Sequence, residues 1–200
     1  MNDTFTIGVL ALQGAFREHR QILESLGVHT REVRLPKHLE GISGLIIPGG
    51  ESTTIGKLMV QWELLKPVRE LARAGTPIWG TCAGAIMLAT DVVERGNPMD
   101  QPTLGLLDIE VERNAFGRQV DSFEEYLSIT GLGMDAPYCA VFIRAPLFSR
   151  IPPQIKILSM VNEQPVFVRK DHIWAMSFHP ELTKDTRLHE AFVQLARSCS

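Results

Sequence analysis

Apolar residues in this chain gather in short unbroken bursts, separated by longer stretches in which they recur every three or four positions. That alternation is the pattern of strands buried on both faces and helices buried on one. Residues 5–10 are apolar and β-branched until Gln13-Gly14 ends the run, and Phe16, Ile22, Leu23 and Leu26 then recur at helical spacing as far as Gly27. Residues 28–33 predict a second strand, and Gly44-Leu45-Ile46-Ile47 a fully buried one that stops at Pro48-Gly49-Gly50-Glu51-Ser52. Ile55, Leu58, Met59, Leu64, Leu65, Val68 and Leu71 predict helix, broken near Pro67 and closed by Gly75. Pro77-Ile78-Trp79 is the next buried strand, and Ile86, Met87 and Leu88 begin another helix after Gly80-Thr81-Cys82-Ala83-Gly84.

Strand and helix alternating through short loops predict an α/β fold of three layers, a mostly parallel central sheet with helices on both faces, as in flavodoxin-like proteins. Beyond residue 103 strands follow one another: 106–111, 141–144, 155–161, 166–169 and 173–178. They predict an antiparallel extension of the sheet. Leu188, Phe192, Val193 and Leu195 mark a closing helix within 183–198, and residues 97–103 are the best candidate for a flexible loop. With no repeat and no linker composition, residues 1–200 are expected to form a single domain.

Composition narrows the function. Hydrophobic residues make up 44% and charged residues 22%, ordinary for a soluble protein, and no apolar run reaches the roughly 18 residues of a membrane helix. The chain start lacks the basic segment of a signal peptide, so a cytoplasmic location is the expectation. The net charge of -3 and the scattered Lys and Arg residues argue against nucleic acid as a partner. The three cysteines, Cys82, Cys139 and Cys199, are odd in number and lack metal-ligand spacing, which suggests reduced thiols and leaves room for a reactive one.

Cys82 sits between glycines two positions away on either side, at a strand-to-helix junction, where a G-x-S-x-G nucleophile elbow would carry its serine. Such a turn lifts the side chain above the strand ends and turns a helix N-terminus toward it, which favours a thiolate. The Ala83 amide, next along, is placed to donate to a developing oxyanion. On the pentapeptide alone Cys82 is equally a small buried hydrophobe. Cys139 reads as strand core, and Cys199 as part of a fraying terminus.

A thiol nucleophile needs a base and a group that orients the base. His179 follows the strand at 173–178 and precedes Pro180 and Glu181; the proline is expected to hold the chain extended and return the carboxylate to the imidazole. A solvated surface turn is the alternative. His19, His29, His38, His172 and His189 lie in polar contexts and read as solvated. The paired glycines at Gly49 and Gly50 let backbone amides approach a ligand and complete an oxyanion hole. Three such signals at three strand ends of one sheet converge on acyl transfer through a thioester.

These motifs, in this order, resemble the class I glutamine amidotransferases, whose signatures are a Pro-Gly-Gly loop, a G-x-C-x-G elbow and a late His-x-Glu. Within that class the chain looks closely like the glutaminase subunits of pyridoxal 5'-phosphate synthases. The resemblance is carried by residues 8–15, 48–54, 80–84, 111–124, 141–146 and 177–183. It implies a triad of Cys82, His179 and Glu181, an oxyanion hole of the Gly50 and Ala83 amides, and glutamine held by Gly50, Glu51, Ser52, Arg113, Ile143 and Arg144. It further implies no metal or organic cofactor, and a barrel-shaped synthase partner that consumes the ammonia in a hetero-oligomer. Two rival readings remain: a cysteine hydrolase of another substrate on the same elbow, and a non-catalytic subunit that only regulates a synthase.

Overall fold

The computed structural model describes residues 5–113 and 122–199; of the stretches that carry the family resemblance, 114–121 lie outside the described residues. The first half runs β1 (Thr6–Leu10), α1 (Phe16–Ser25), β2 (His29–Val33), β3 (Gly44–Ile47), α2 (Ser52–Gln61), α3 (Leu65–Arg73), β4 (Ile78–Thr81) and α4 (Ala83–Leu88). Strands then dominate: β5 (Ala89–Glu94), β6 (Asn97–Pro98), β7 (Leu107–Glu112), β8 (Ser122–Leu127), β9 (Tyr138–Ile143) and β10 (Leu147–Ser149). β11 (Lys156–Val161), β12 (Gln164–Lys170), β13 (Ile173–Met176) and α5 (Arg187–Ser198) complete the described chain.

The main sheet has the strand order β11-β12-β13-β4-β3-β1-β2. β13, β4, β3, β1 and β2 are parallel, and β12 and β11 are antiparallel additions at one edge. β3, β4 and β13 are therefore neighbours, with Ile46 opposite Trp79 and Trp79 opposite Trp174. Their carboxyl ends share one edge of the sheet, where ligands of open α/β sheets bind.

Alternation along these strands splits the core. Leu45, Ile47 and Ile78 pack on one face against Ile55 and Met59 of α2 and Val68 of α3. Ile46, Trp79, Trp174 and Met176 pack on the other, against Leu23 of α1 and Leu188, Phe192 and Ala196 of α5. Trp79 centres this second layer, its ring 6.1 Å from Trp174 and 5.3 Å from Phe192. Fully burying each such side chain contributes on the order of 1.5–3 kcal/mol.

Several sequence expectations are corrected. The break between α2 and α3 falls before Pro67, around Glu63 with its φ of 55°, and Pro67 lies in the first turn of α3, where its missing N–H has no intrahelical acceptor to lose. Only β11 and β12 extend the main sheet in antiparallel fashion. β7, read as part of that extension, pairs parallel with β5 in a second sheet of order β10-β7-β5-β6, and β9 forms a two-stranded ribbon with β8. The supposed flexible loop at 97–103 begins as β6 and is tied down: Arg69 donates to the carbonyls of Thr103 and Leu104 at 2.7 and 2.9 Å, and Ser52 Oγ to Gln101 Oε1 at 3.2 Å. Cys139 lies on the half-exposed outer face of β9, its thiol 3.8 Å from Glu124 Oε2, rather than in the core. At the outer edge of the main sheet, the register of β11 against β12 slips on both sides of Ser159, and Ile157 and Met160 are exposed.

Candidate active site

β4 ends at Thr81 and the chain turns sharply at Cys82, which holds φ 48° and ψ -106°. A positive φ in a residue with a Cβ is strained and has to be held by its surroundings. Here the Cys82 amide donates to Met176 O at 2.8 Å and its carbonyl accepts from Ile86 at 3.2 Å, fixing both sides of the turn. The flanking glycines are required by contact: a Cβ on Gly80 would lie 2.4 Å from Gly84 O, and one on Gly84 1.9 Å from Ile47 O. α4 can therefore start directly against β3 and β4 only because both positions lack a side chain.

His179 follows β13. Its Nδ1 lies 2.7 Å from Glu181 Oε1, and the carboxylate side chain is completely enclosed. Pro180 begins a 3-10 turn, Pro180–Leu182, so a tight helical turn, and not the expected extended segment, brings Glu181 back to the ring. Burial disfavours the charged imidazole, yet hydrogen bonding and charge from Cys82 and Glu181 outweigh it, and the His179 pKa is raised to about 10. Burial likewise opposes the Glu181 charge, and His19 and His179 overcome it to hold the carboxyl below its usual range. The thiol of Cys82 points at the carbonyl of Ile143, 3.9 Å away.

The loop after β3 closes the site from the other side. Gly49 lies so near the ring that a Cβ there would sit 2.5 Å from His179 Cε1. Its amide donates to Thr81 Oγ1 at 3.1 Å and its carbonyl accepts from Ala15 at 3.0 Å, an approach that requires Gly14, with φ of 97°, to have no Cβ. Because the Gly49–Gly50 peptide is planar, the Gly50 N–H faces the opposite way from that carbonyl. Glu51 caps α2 by accepting from the amides of Thr53 and Thr54 at 3.3 and 2.7 Å, and Arg113 Nη2 lies 3.0 Å from the same carboxylate. Although burial opposes its charge, the hydrogen bonds from Thr53 and Thr54 lower the Glu51 pKa to about 2.

A cleft of about 340 Å3 is lined by every residue expected for the site: Cys82, His179, Glu181, Gly50, Ala83, Glu51, Ser52, Arg113, Ile143 and Arg144. Not all present a free side chain. The Glu51 carboxylate is taken up by its cap and Arg113, and the Ser52 hydroxyl by Gln101, whereas Arg144 is exposed at the rim on a residue with φ of 43°. Gln13 also lines the cleft and accepts the Glu51 amide at 2.8 Å, a role that sequence reading missed because Gln13-Gly14 looked like a plain break. His19 and His189, expected in solvent, are instead fully buried, and His172 is part-buried with Nε2 2.8 Å from Ala72 O. Among the described residues no group of His, Cys, Asp and Glu is arranged to hold a metal ion.

The fold, with a cysteine elbow, a His-Glu pair and a Gly-Gly loop on three adjacent strands, is that of the class I glutamine amidotransferases. A crystal structure of a glutamine amidotransferase superposes with a TM-score of 0.89 at 52% identity, covering 96% of this chain and 98% of that one. A putative GMP synthase subunit from Thermoplasma acidophilum shares the fold at a TM-score of 0.69 and 19% identity. The chain belongs to the SNO glutamine amidotransferase family, whose model matches residues 9–198. Among its relatives, the pyridoxal 5'-phosphate synthase subunit PdxT of Deinococcus radiodurans is 57% identical over 193 residues, 96% of this chain and 97% of the relative. The PdxT of a strain of Thermus thermophilus is 54% identical over 95% of this chain and 97% of its own length.

Proposed function

We infer that this glutamine amidotransferase hydrolyses L-glutamine to L-glutamate and ammonia through a thioester on Cys82, and that the ammonia goes to a synthase subunit making pyridoxal 5'-phosphate. The observation that carries the reading is the His179–Glu181 contact of 2.7 Å, beside a strained cysteine turn and under the Gly49-Gly50 loop. The Cys82 thiolate attacks the side-chain carbonyl carbon of glutamine, and the Gly50 and Ala83 amides receive the oxyanion. As the C–N bond breaks, His179 gives its proton to the departing nitrogen and ammonia leaves. Neutral His179 then takes a proton from water, whose oxygen attacks the thioester; the C–S bond breaks, and glutamate and the thiolate return. Glu181 orients the ring and stabilises its charged form throughout.

The Arg113 and Arg144 guanidiniums suit the α-carboxylate of glutamine, since a planar fork pairs with a carboxylate bidentately. Arg113 would then exchange or share its Glu51 contact when substrate arrives. Relatives named as synthase subunits, at 57 and 54% identity, support the assignment of the acceptor. The test is to assay pyridoxal 5'-phosphate formation by this chain with a synthase subunit, driven by glutamine or by ammonia. Cys82→Ala is expected to abolish the glutamine-driven reaction and leave the ammonia-driven one. Glutamine-driven synthesis that survives the substitution would refute the nucleophile.

A further inference from the structure

Behind the imidazole–carboxylate pair lie two histidines that the mechanism leaves unused. His19 of α1 and His189 of α5 are fully buried. His19 Nδ1 is 3.0 Å from His189 Nε2, while its Nε2 lies 3.3 Å from Glu181 Oε2 and 3.3 Å from Thr81 Oγ1. Thr81 Oγ1 in turn accepts the Gly49 amide. A continuous polar path thus runs from α5 through α1 to the acid of the triad, with a branch to the Gly49-Gly50 loop.

The direction of the bonds follows from charge. Burial lowers the proton affinity of both His19 and His189, so each carries one ring hydrogen. A lone pair on His19 Nε2 would face the carboxylate of Glu181 and repel it. Nε2 therefore bears the hydrogen, Nδ1 accepts, and His189 donates from its own Nε2. That arrangement leaves His189 Nδ1 as an acceptor, and this atom has no partner among the described residues. Glu181 Oε2 likewise has no hydrogen bond there: the His19 Nε2–H is bonded to Thr81 Oγ1 and lies 3.3 Å from this oxygen, where its partial positive charge offsets part of the cost of enclosing it.

We propose that His19 is a positioning residue for the hydrolysis: its Nε2–H, bonded to Thr81 and set beside the outer oxygen of Glu181, keeps a positive edge against the carboxylate so that the inner oxygen stays on His179, and it links the acid to the loop presenting Gly50. The proposal rests on the triad reading above. Facing the carboxylate are His179 from its own segment and His19 from α1, with His189 of α5 behind; Glu18 acts on His19 from α1, and Tyr138 of β9 senses the Glu181 charge. Loss of the His19 N–H leaves the carboxylate less stabilised, raises the pH at which it protonates and loosens the imidazole, which affects turnover more than glutamine binding.

Two substitutions separate this role from simple packing. His19→Gln places an amide N–H at the ε position, within reach of Glu181, whereas His19→Asn places it at the δ position, beside His189. Assayed with the synthase subunit, the Gln chain is expected to keep turnover within about threefold, and the Asn chain to lose about 10- to 100-fold in kcat with KM for glutamine little changed. The pH profile of Cys82 alkylation by iodoacetamide reads the same assembly without glutamine, and its acid limb is expected to move to higher pH in the Asn chain only. Equal behaviour of the two variants in this profile overturns the proposal. Absence of glutamine turnover in the unsubstituted chain, with the alkylation difference intact, overturns the glutaminase reading instead. If neither variant folds, nitrogen-15 spectra of the unsubstituted chain decide: a neutral His19 protonated at Nε2 is the expected tautomer, and protonation at Nδ1 rules the proposal out.

Discussion

The strain of the turn at Cys82, the proposed nucleophile, is measurable. A non-glycine residue at φ 48° and ψ -106° costs about 1–3 kcal/mol that glycine avoids. Cys82→Gly is therefore expected to be at least as stable to urea as Cys82→Ala, although replacing alanine by glycine within a regular element ordinarily loses about 0.5–1 kcal/mol. His179 provides a second measure. With its pKa raised from 6.5 to about 10, the pair it forms stabilises the fold fully below pH 6.5 and loses that contribution as pH rises through about 10. Removing the thiol in Cys82→Ala takes away one cause of the shift, so imidazole titration followed by NMR is expected to move to lower pH. That Cys82, His179 and Glu181 line one cleft was legible in the sequence because each lies within two residues of a glycine or proline that announces a turn. His19 and His189 were not, since both are embedded among charged helical neighbours, and only the approach of α1 and α5 over the sheet encloses them.

Elements, more than single side chains, set the spacing of the site. Gly84 lets α4 lie on β3, and Gly84→Ala, with a Cβ 1.9 Å from Ile47 O, is expected to cost about 3 kcal/mol or more, read from the shift in urea midpoint. Glu51 ties the start of α2 to the cleft. Its pKa is lowered from 4.5 to about 2, so its contribution is whole above pH 4.5 and is lost as pH falls toward about 2; Glu51→Gln is expected to flatten that part of the profile of melting temperature against pH. The parallel strands β1, β3 and β4 could be read directly, because burial on both faces makes them apolar but for a terminal Thr6 and Thr81. β5 and β8 escaped notice for the opposite reason: Thr90 and Asp91, and Glu124 and Glu125, interrupt the apolar signal on strands with one open face. The second sheet and the ribbon were consequently taken for additions to the first.

At the scale of the whole molecule, β3, β4 and β13 hold the three parts of the site on one rigid edge, while α1 and α5 back it from one side. We expect residues 1–200 to unfold as one unit, giving a single calorimetric transition; two resolved transitions would divide the chain into separate domains. Deleting α5 would remove Leu188, Phe192 and Ala196 from the core together with His189, so truncation there is a poor way to probe the site.

The slipped register of β11 bears on how the molecule behaves in a crowd. An outermost strand with Ile157 and Met160 exposed invites chain-to-chain growth wherever its backbone is free, and here Thr130 already donates to Leu158 O at 2.9 Å. The irregularity around Ser159 breaks the even ladder that a would-be copy would have to match, and Lys156 adds a charge to repel it. The same few residues that look like a flaw in the hydrogen-bond ladder are thus expected to hinder fibres, and smoothing them is expected to trade a tidier sheet for a protein that clumps.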